Sequence, residues 1–118
     1  MHRSSVFGMI PLLLLLAAGS ASAHAFLDHA EPRVGNTVAT APHELKLWFT
    51  QRLEQAFSTV EVTDGSGQRV DTGKPRVNDN EMAISLRVRG PGTYRVNWHV
   101  LSVDTHTTEG NFTFTVGK

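Results

Sequence analysis

Tyr94-Arg95-Val96-Asn97-Trp98-His99-Val100 alternates apolar and polar residues without a break. Side chains of an extended strand point to opposite faces in turn, so Tyr94, Val96, Trp98 and Val100 share one face. The same period of two recurs on either side. Upstream, Met82, Ile84, Leu86 and Val88 alternate, and Arg89-Gly90-Pro91-Gly92 turns the chain back. Downstream, Asn111–Val116 carries Phe112, Phe114 and Val116 on one face. Earlier, Leu45, Leu47 and Phe49 alternate within Glu44–Thr50, and Val60 and Val62 face inward within Phe57–Thr63. Asp64-Gly65-Ser66-Gly67 is a strong turn signal, with Gln68–Val70 as a short return strand.

The remaining segments connect these strands. Ala25–Ala30 is consistent with a first strand, followed by the Pro- and Gly-punctuated loop Glu31–Asn36. Gln51–Gln55 suits a single helical turn, and the polar stretch Thr72–Asn80, with Gly73 and Pro75, suits a connecting loop. No stretch keeps a 3.6-residue period over three turns. Short strands separated by turns predict an all-β sandwich or barrel of about seven strands.

A chain of 118 residues makes one small domain. Its 11 basic and 11 acidic residues balance, so it lacks the basic footprint of a nucleic-acid binder. It has no cysteine, so no disulfide supports the core. Zinc-finger, iron–sulfur and blue-copper sites, which need thiolate ligands, are excluded.

The first residues read as an export signal. His2 and Arg3 precede an apolar stretch, Val6–Ala18, with five consecutive leucines from Leu12 to Leu16. Ala21-Ser22-Ala23 matches the small-x-small cleavage pattern. A membrane span needs roughly 20 apolar residues; this stretch is shorter and contains Pro11. The expected organisation is a signal peptide over residues 1–23, cleaved after Ala23, and a mature domain over residues 24–118 that does not span a membrane. Cleavage after Ala21 is the competing site, and a retained anchor the competing reading.

Cleavage after Ala23 gives His24 a free α-amine beside its imidazole. The two nitrogens close a chelate ring that no internal histidine offers. Their reference pKa values, about 7.7–8.0 and 6.5, allow both to bind metal near neutral pH. Among divalent first-row ions, Cu(II) binds nitrogen sites most tightly and favours a tetragonal N,O set. Asp104 and His106 add a carboxylate and a second imidazole. In extended backbone, residues two apart point the same way. Asp-x-His alone reads better as an exposed polar turn, and gains force as a ligand pair only with a histidine at the mature terminus.

Taken together, these pieces resemble the CopC-like family of bacterial periplasmic copper-binding proteins. The likeness runs from the leader and His24 through Ala30-Glu31-Pro32 to Gly35, then Leu45–Thr50 and Gly92–Trp98. It ends on Ser102-Val103-Asp104-Thr105-His106 and Gly110–Val116, so it covers essentially the whole mature chain. The resemblance implies a seven-stranded Greek-key β-barrel or sandwich, immunoglobulin-like or cupredoxin-like. It implies one Cu(II) per chain, held by the amine and imidazole of His24, by Asp104 and by His106. It also implies a non-enzymatic periplasmic role in copper resistance, sequestration or delivery. An inner-membrane copper transporter or another periplasmic copper protein would be the partner. Where some relatives place a further carboxylate, this chain has Gln51. Others carry a Met-rich Cu(I) loop; here only Met82 remains after the leader, on an expected core face.

Two other function classes stay open. A terminal amine–imidazole pair with a second histidine also resembles the copper brace of lytic polysaccharide monooxygenases, which need a broad substrate face. A metal-free interaction module is the other. His29, His43 and His99 read as surface or hydrogen-bonded histidines, and Trp48 and Trp98 as packing residues.

Overall fold

The structure is a computed structural model that describes residues 25–118. The expected leader, its cleavage site and His24 lie outside the described residues.

The described residues form eight strands. They are β1 (Leu27–Glu31), β2 (Thr37–Val38), β3 (Glu44–Phe49), β4 (Thr59–Thr63), β5 (Asp71–Asn78), β6 (Glu81–Leu86), β7 (Gly92–Leu101) and β8 (Thr107–Val116). Two four-stranded sheets result, in the orders β1-β3-β6-β5 and β2-β8-β7-β4. The chain passes from one sheet to the other between β1 and β2, β2 and β3, β3 and β4, β4 and β5, and β6 and β7. Seven strands of five or more residues carry the sandwich; β2 adds a two-residue parallel pairing on β8.

Alternation explains how the sheets pack. Along β7, Tyr94, Val96, Trp98 and Val100 are buried and the residues between them exposed. From the facing sheet come Leu45, Leu47 and Phe49 of β3 and Met82, Ile84 and Leu86 of β6. They join Val60, Val62, Phe112, Phe114 and Val116 in one core. Burying each such side chain contributes about 1.5–3 kcal/mol, and this layer holds the domain together without disulfides. The Trp98 ring meets Phe49 edge-on at a centroid distance of 5.1 Å. Gly110, its cross-strand partner, leaves the space its indole fills. Met82 is fully buried, as its core-face position predicts.

Several expectations from the sequence need correction. Thr72–Asn80 is not a loop, because Asp71–Asn78 forms strand β5. It is the edge strand of its sheet, so no buried face imposes alternation, and an edge tolerates Pro75. The short return strand at Gln68–Val70 reduces to an isolated bridge between Thr63 and Arg69. The helical turn falls later, as a 3-10 turn over Gln55–Phe57, which removes Phe57 from β4 and leaves it exposed. Gln55 covers the β5 edge: its side chain donates to Pro75 O and accepts from Val77 N, both at 2.8 Å. Strand β8 begins at Thr107, four residues before the expected start at Asn111.

Candidate metal centre

Asp104 and His106 sit on the loop between β7 and β8, at the end of the sandwich where β1 starts and β3 ends. The loop is a tight turn. Ser102 N donates to His106 O at 3.0 Å, and Thr105 N donates to Ser102 O at 2.9 Å. Thr105 has φ of +71°, the left-handed region that a β-branched residue rarely adopts. The aspartate and histidine therefore meet across a turn, and not through the extended spacing expected from sequence. His106 Nδ1 lies 3.4 Å from Asp104 Oδ1.

Ser102 organises this pair. It is fully buried, and its hydroxyl donates to Asp104 Oδ1, with His106 O at 3.2 Å. That hydroxyl is the main reason the Asp104 carboxyl titrates below its ordinary value; desolvation opposes it, and His106 adds to the lowering. Asp104 thus stays ionised, as a metal ligand must be.

A second set of hydrogen bonds straps the start of the described chain to the same end. Ala25 is fully buried, and its carbonyl accepts a 2.6 Å hydrogen bond from Thr108 Oγ1, two residues beyond His106. Phe26 N donates to Thr50 Oγ1 at 2.9 Å, and Thr50 N returns a 2.9 Å bond to Phe26 O. Ala25 and Phe26 are held between the end of β3 and the start of β8. Residues 52–54 close the other side: Glu54 N donates to Leu101 O at 2.8 Å and Val103 N to Arg52 O at 3.0 Å. Gln51, half-buried, precedes that segment.

Of the three expected ligands, Asp104 and His106 come together, and His24 lies outside the described residues. Among the described residues, no group of three or more His, Asp or Glu side chains is placed to hold a metal ion. His29, His43 and His99 are exposed; His29 bonds Asp28 at 2.7 Å and stacks on Trp48 at 4.4 Å. Ser102, Thr108 and Thr50 escaped the sequence reading. Nothing in a lone Thr announces a partner as distant in the chain as Ala25 is from Thr108 or Phe26 from Thr50, and the Ser102 contacts, though local, depend on the turn that packing imposes.

The described residues make a small β-sandwich that presents an ionised carboxylate and an imidazole together beside the strapped start of the domain. The CopC domain family model matches residues 27–117, and the chain belongs to the CopC family. It is 35 % identical over 121 residues to the protein YobA of Escherichia coli K12, covering 97 % of this chain and 95 % of that one. Among solved structures it is similar to CopC from Methylosinus trichosporium OB3b, with a TM-score of 0.74 and 32 % identity over 80 % of this chain and 94 % of that one. It is also similar to PcoC, described as a methionine-rich copper resistance protein from Escherichia coli. That match has a TM-score of 0.70 and 36 % identity over 80 % of this chain and 99 % of that one.

Proposed function

We propose that this protein is an exported, non-catalytic Cu(II) carrier of the periplasm, acting in copper resistance or delivery. Signal peptidase cuts after Ala23 and frees the amine of His24. That amine and the His24 imidazole bind one cupric ion together with Asp104 and His106. The ion is cargo, passed to an inner-membrane transporter or another periplasmic copper protein.

The observation that carries this reading is the 2.6 Å hydrogen bond from Thr108 Oγ1 to Ala25 O. Consecutive Cα atoms are about 3.8 Å apart, so His24 is one residue away from a carbonyl tied to the strand that follows His106. The donor set supports copper in its cupric state. It offers nitrogen and carboxylate oxygen, which suit Cu(II). The thioether of Met82 is buried in the core and unavailable to Cu(I). Copper resistance is what the PcoC structure's description names, which supports the same physiological direction.

Competitive Cu(II) titration of the processed protein tests the reading. His106→Ala, and separately one extra residue placed before His24, should each weaken binding by at least about a hundredfold, equivalent to ~2.7 kcal/mol. Unchanged affinity in both variants would refute it.

A further inference from the structure

The end of the sandwich opposite Asp104 holds a cavity of about 260 Å³, bounded by the β4–β5 and β6–β7 connections. Arg69, Arg87 and Arg89 line it, together with Val70, Tyr94 and Asp64. The three guanidinium groups are not equivalent. Arg69 is committed: its Nε and Nη2 donate to the two Asp71 oxygens at 2.9 and 2.7 Å, and its Nη1 lies 3.3 Å from Glu61. Arg87 and Arg89 make no ion pair or side-chain hydrogen bond among the described residues. The cavity's own carboxylate does not serve them. Asp64 Oδ1 accepts from Ser66 N, Ser66 Oγ and Gln68 N at 2.9, 2.7 and 2.9 Å, inside its own turn.

The backbone beneath the free pair is fixed. Arg87 N donates to Val70 O at 2.7 Å, and the Tyr94 hydroxyl donates to Arg89 O and Gly90 O, both at 2.9 Å. Val88, between the two arginines, packs against the core, so Arg87 and Arg89 lie on the outer side of the same short segment. The backbone that carries the two guanidinium groups is thus set before any ligand arrives, so only the side chains need to be ordered on binding.

We propose that Arg87 and Arg89 form a binding site for a single phosphate-type oxyanion, separate from the metal centre and independent of the copper reading. Guanidinium forks match phosphate oxygens in pairs, with strong charge-assisted hydrogen bonds. The volume falls below the roughly 300–1,000 Å³ typical of sites for drug-sized molecules, so it suits one small anionic group. Free phosphate and the headgroup of an anionic phospholipid share this chemistry. In the second case the end carrying Arg87 and Arg89 faces the membrane surface and the Asp104 end points away from it.

Two arms of one experiment test the site on the processed protein. Backbone amide resonances of Val70, Val88 and Tyr94, which surround the two arginines, are followed during titration with inorganic phosphate, against sodium chloride at equal ionic strength. Co-sedimentation is measured with phosphatidylcholine vesicles with and without phosphatidylglycerol. Saturable phosphate shifts at the Val70, Val88 and Tyr94 amides, with an affinity at least tenfold weaker in Arg87→Gln/Arg89→Gln, support the site with free phosphate as ligand. Sedimentation that requires phosphatidylglycerol and is lost in the same variant supports it with the lipid headgroup as ligand. Arg87→Lys/Arg89→Lys keeps the charge and removes the forks, and should weaken either response several-fold. No saturable response in either arm, or a response unchanged in these variants, overturns the proposal.

Discussion

Gly110 shows how closely one position can be tied to its neighbour. A Cβ there would stand 2.5 Å from Trp98 Cζ2 and 2.8 Å from Cε2, inside any tolerable contact. The Trp98 ring is wedged against Phe49 and has little room to move. Gly110→Ala should therefore destabilise the domain by about 1–3 kcal/mol, the usual cost of overpacking, as measured by denaturant unfolding. Thr108 is tied to Ala25 through one hydroxyl. Thr108→Val keeps the shape and removes the donor, leaving a buried carbonyl without its partner. The expected cost is about 1 kcal/mol of stability. On the proposed reading copper affinity falls as well, by roughly fivefold, in a competitive titration. A variant with lower stability but unchanged copper affinity would mean that the strap does not position the metal site.

Among the elements, the β4–β5 connection is tied to β4 by a buried carboxylate. The Asp71 side chain is only 3 % exposed. It accepts from Val62 N at 2.8 Å and from two nitrogens of Arg69. Burial pushes its pKa up, but the Arg69 and Val62 hydrogen bonds outweigh that and leave it below the ordinary carboxylate value. A carboxyl depressed in the folded state contributes stability that is present above its unfolded pKa, about 3.9. That contribution is lost as pH falls through the folded value. Asp71→Asn should cost about 1.5–3 kcal/mol at neutral pH. The gap between wild type and variant should narrow below about pH 4, as read from unfolding midpoints across pH. A gap that stays constant to pH 2 would contradict this account of Asp71.

At the scale of the whole molecule, the parts legible in sequence were those with one face in the core. The strands carrying Leu45–Phe49, Met82–Leu86 and Tyr94–Val100 were readable because burial on one side imposes a period of two. β5 was not, because an edge strand with little buried surface imposes no pattern. β2 is only two residues long and is defined by its pairing with Thr115 and Val116, which no local signal carries. The metal centre divides in the same way. Asp104 and His106 were singled out by the family resemblance and the expected terminal histidine, since their spacing alone reads as a polar turn; they meet through a left-handed turn at Thr105 and a buried Ser102 hydroxyl. Those features arise from packing at the end of the sandwich. The domain also separates two chemistries, with the carboxylate–imidazole pair at one end and the uncommitted arginines at the other.

The central claim is that processing creates the metal site. Intact-mass measurement of the exported protein under non-denaturing conditions, with one equivalent of Cu(II), tests it most directly. The account predicts a chain that begins at His24 and carries one copper ion, held at least about a hundredfold more weakly when one residue is added before His24. A chain that begins elsewhere and still binds one copper ion with undiminished affinity would contradict it.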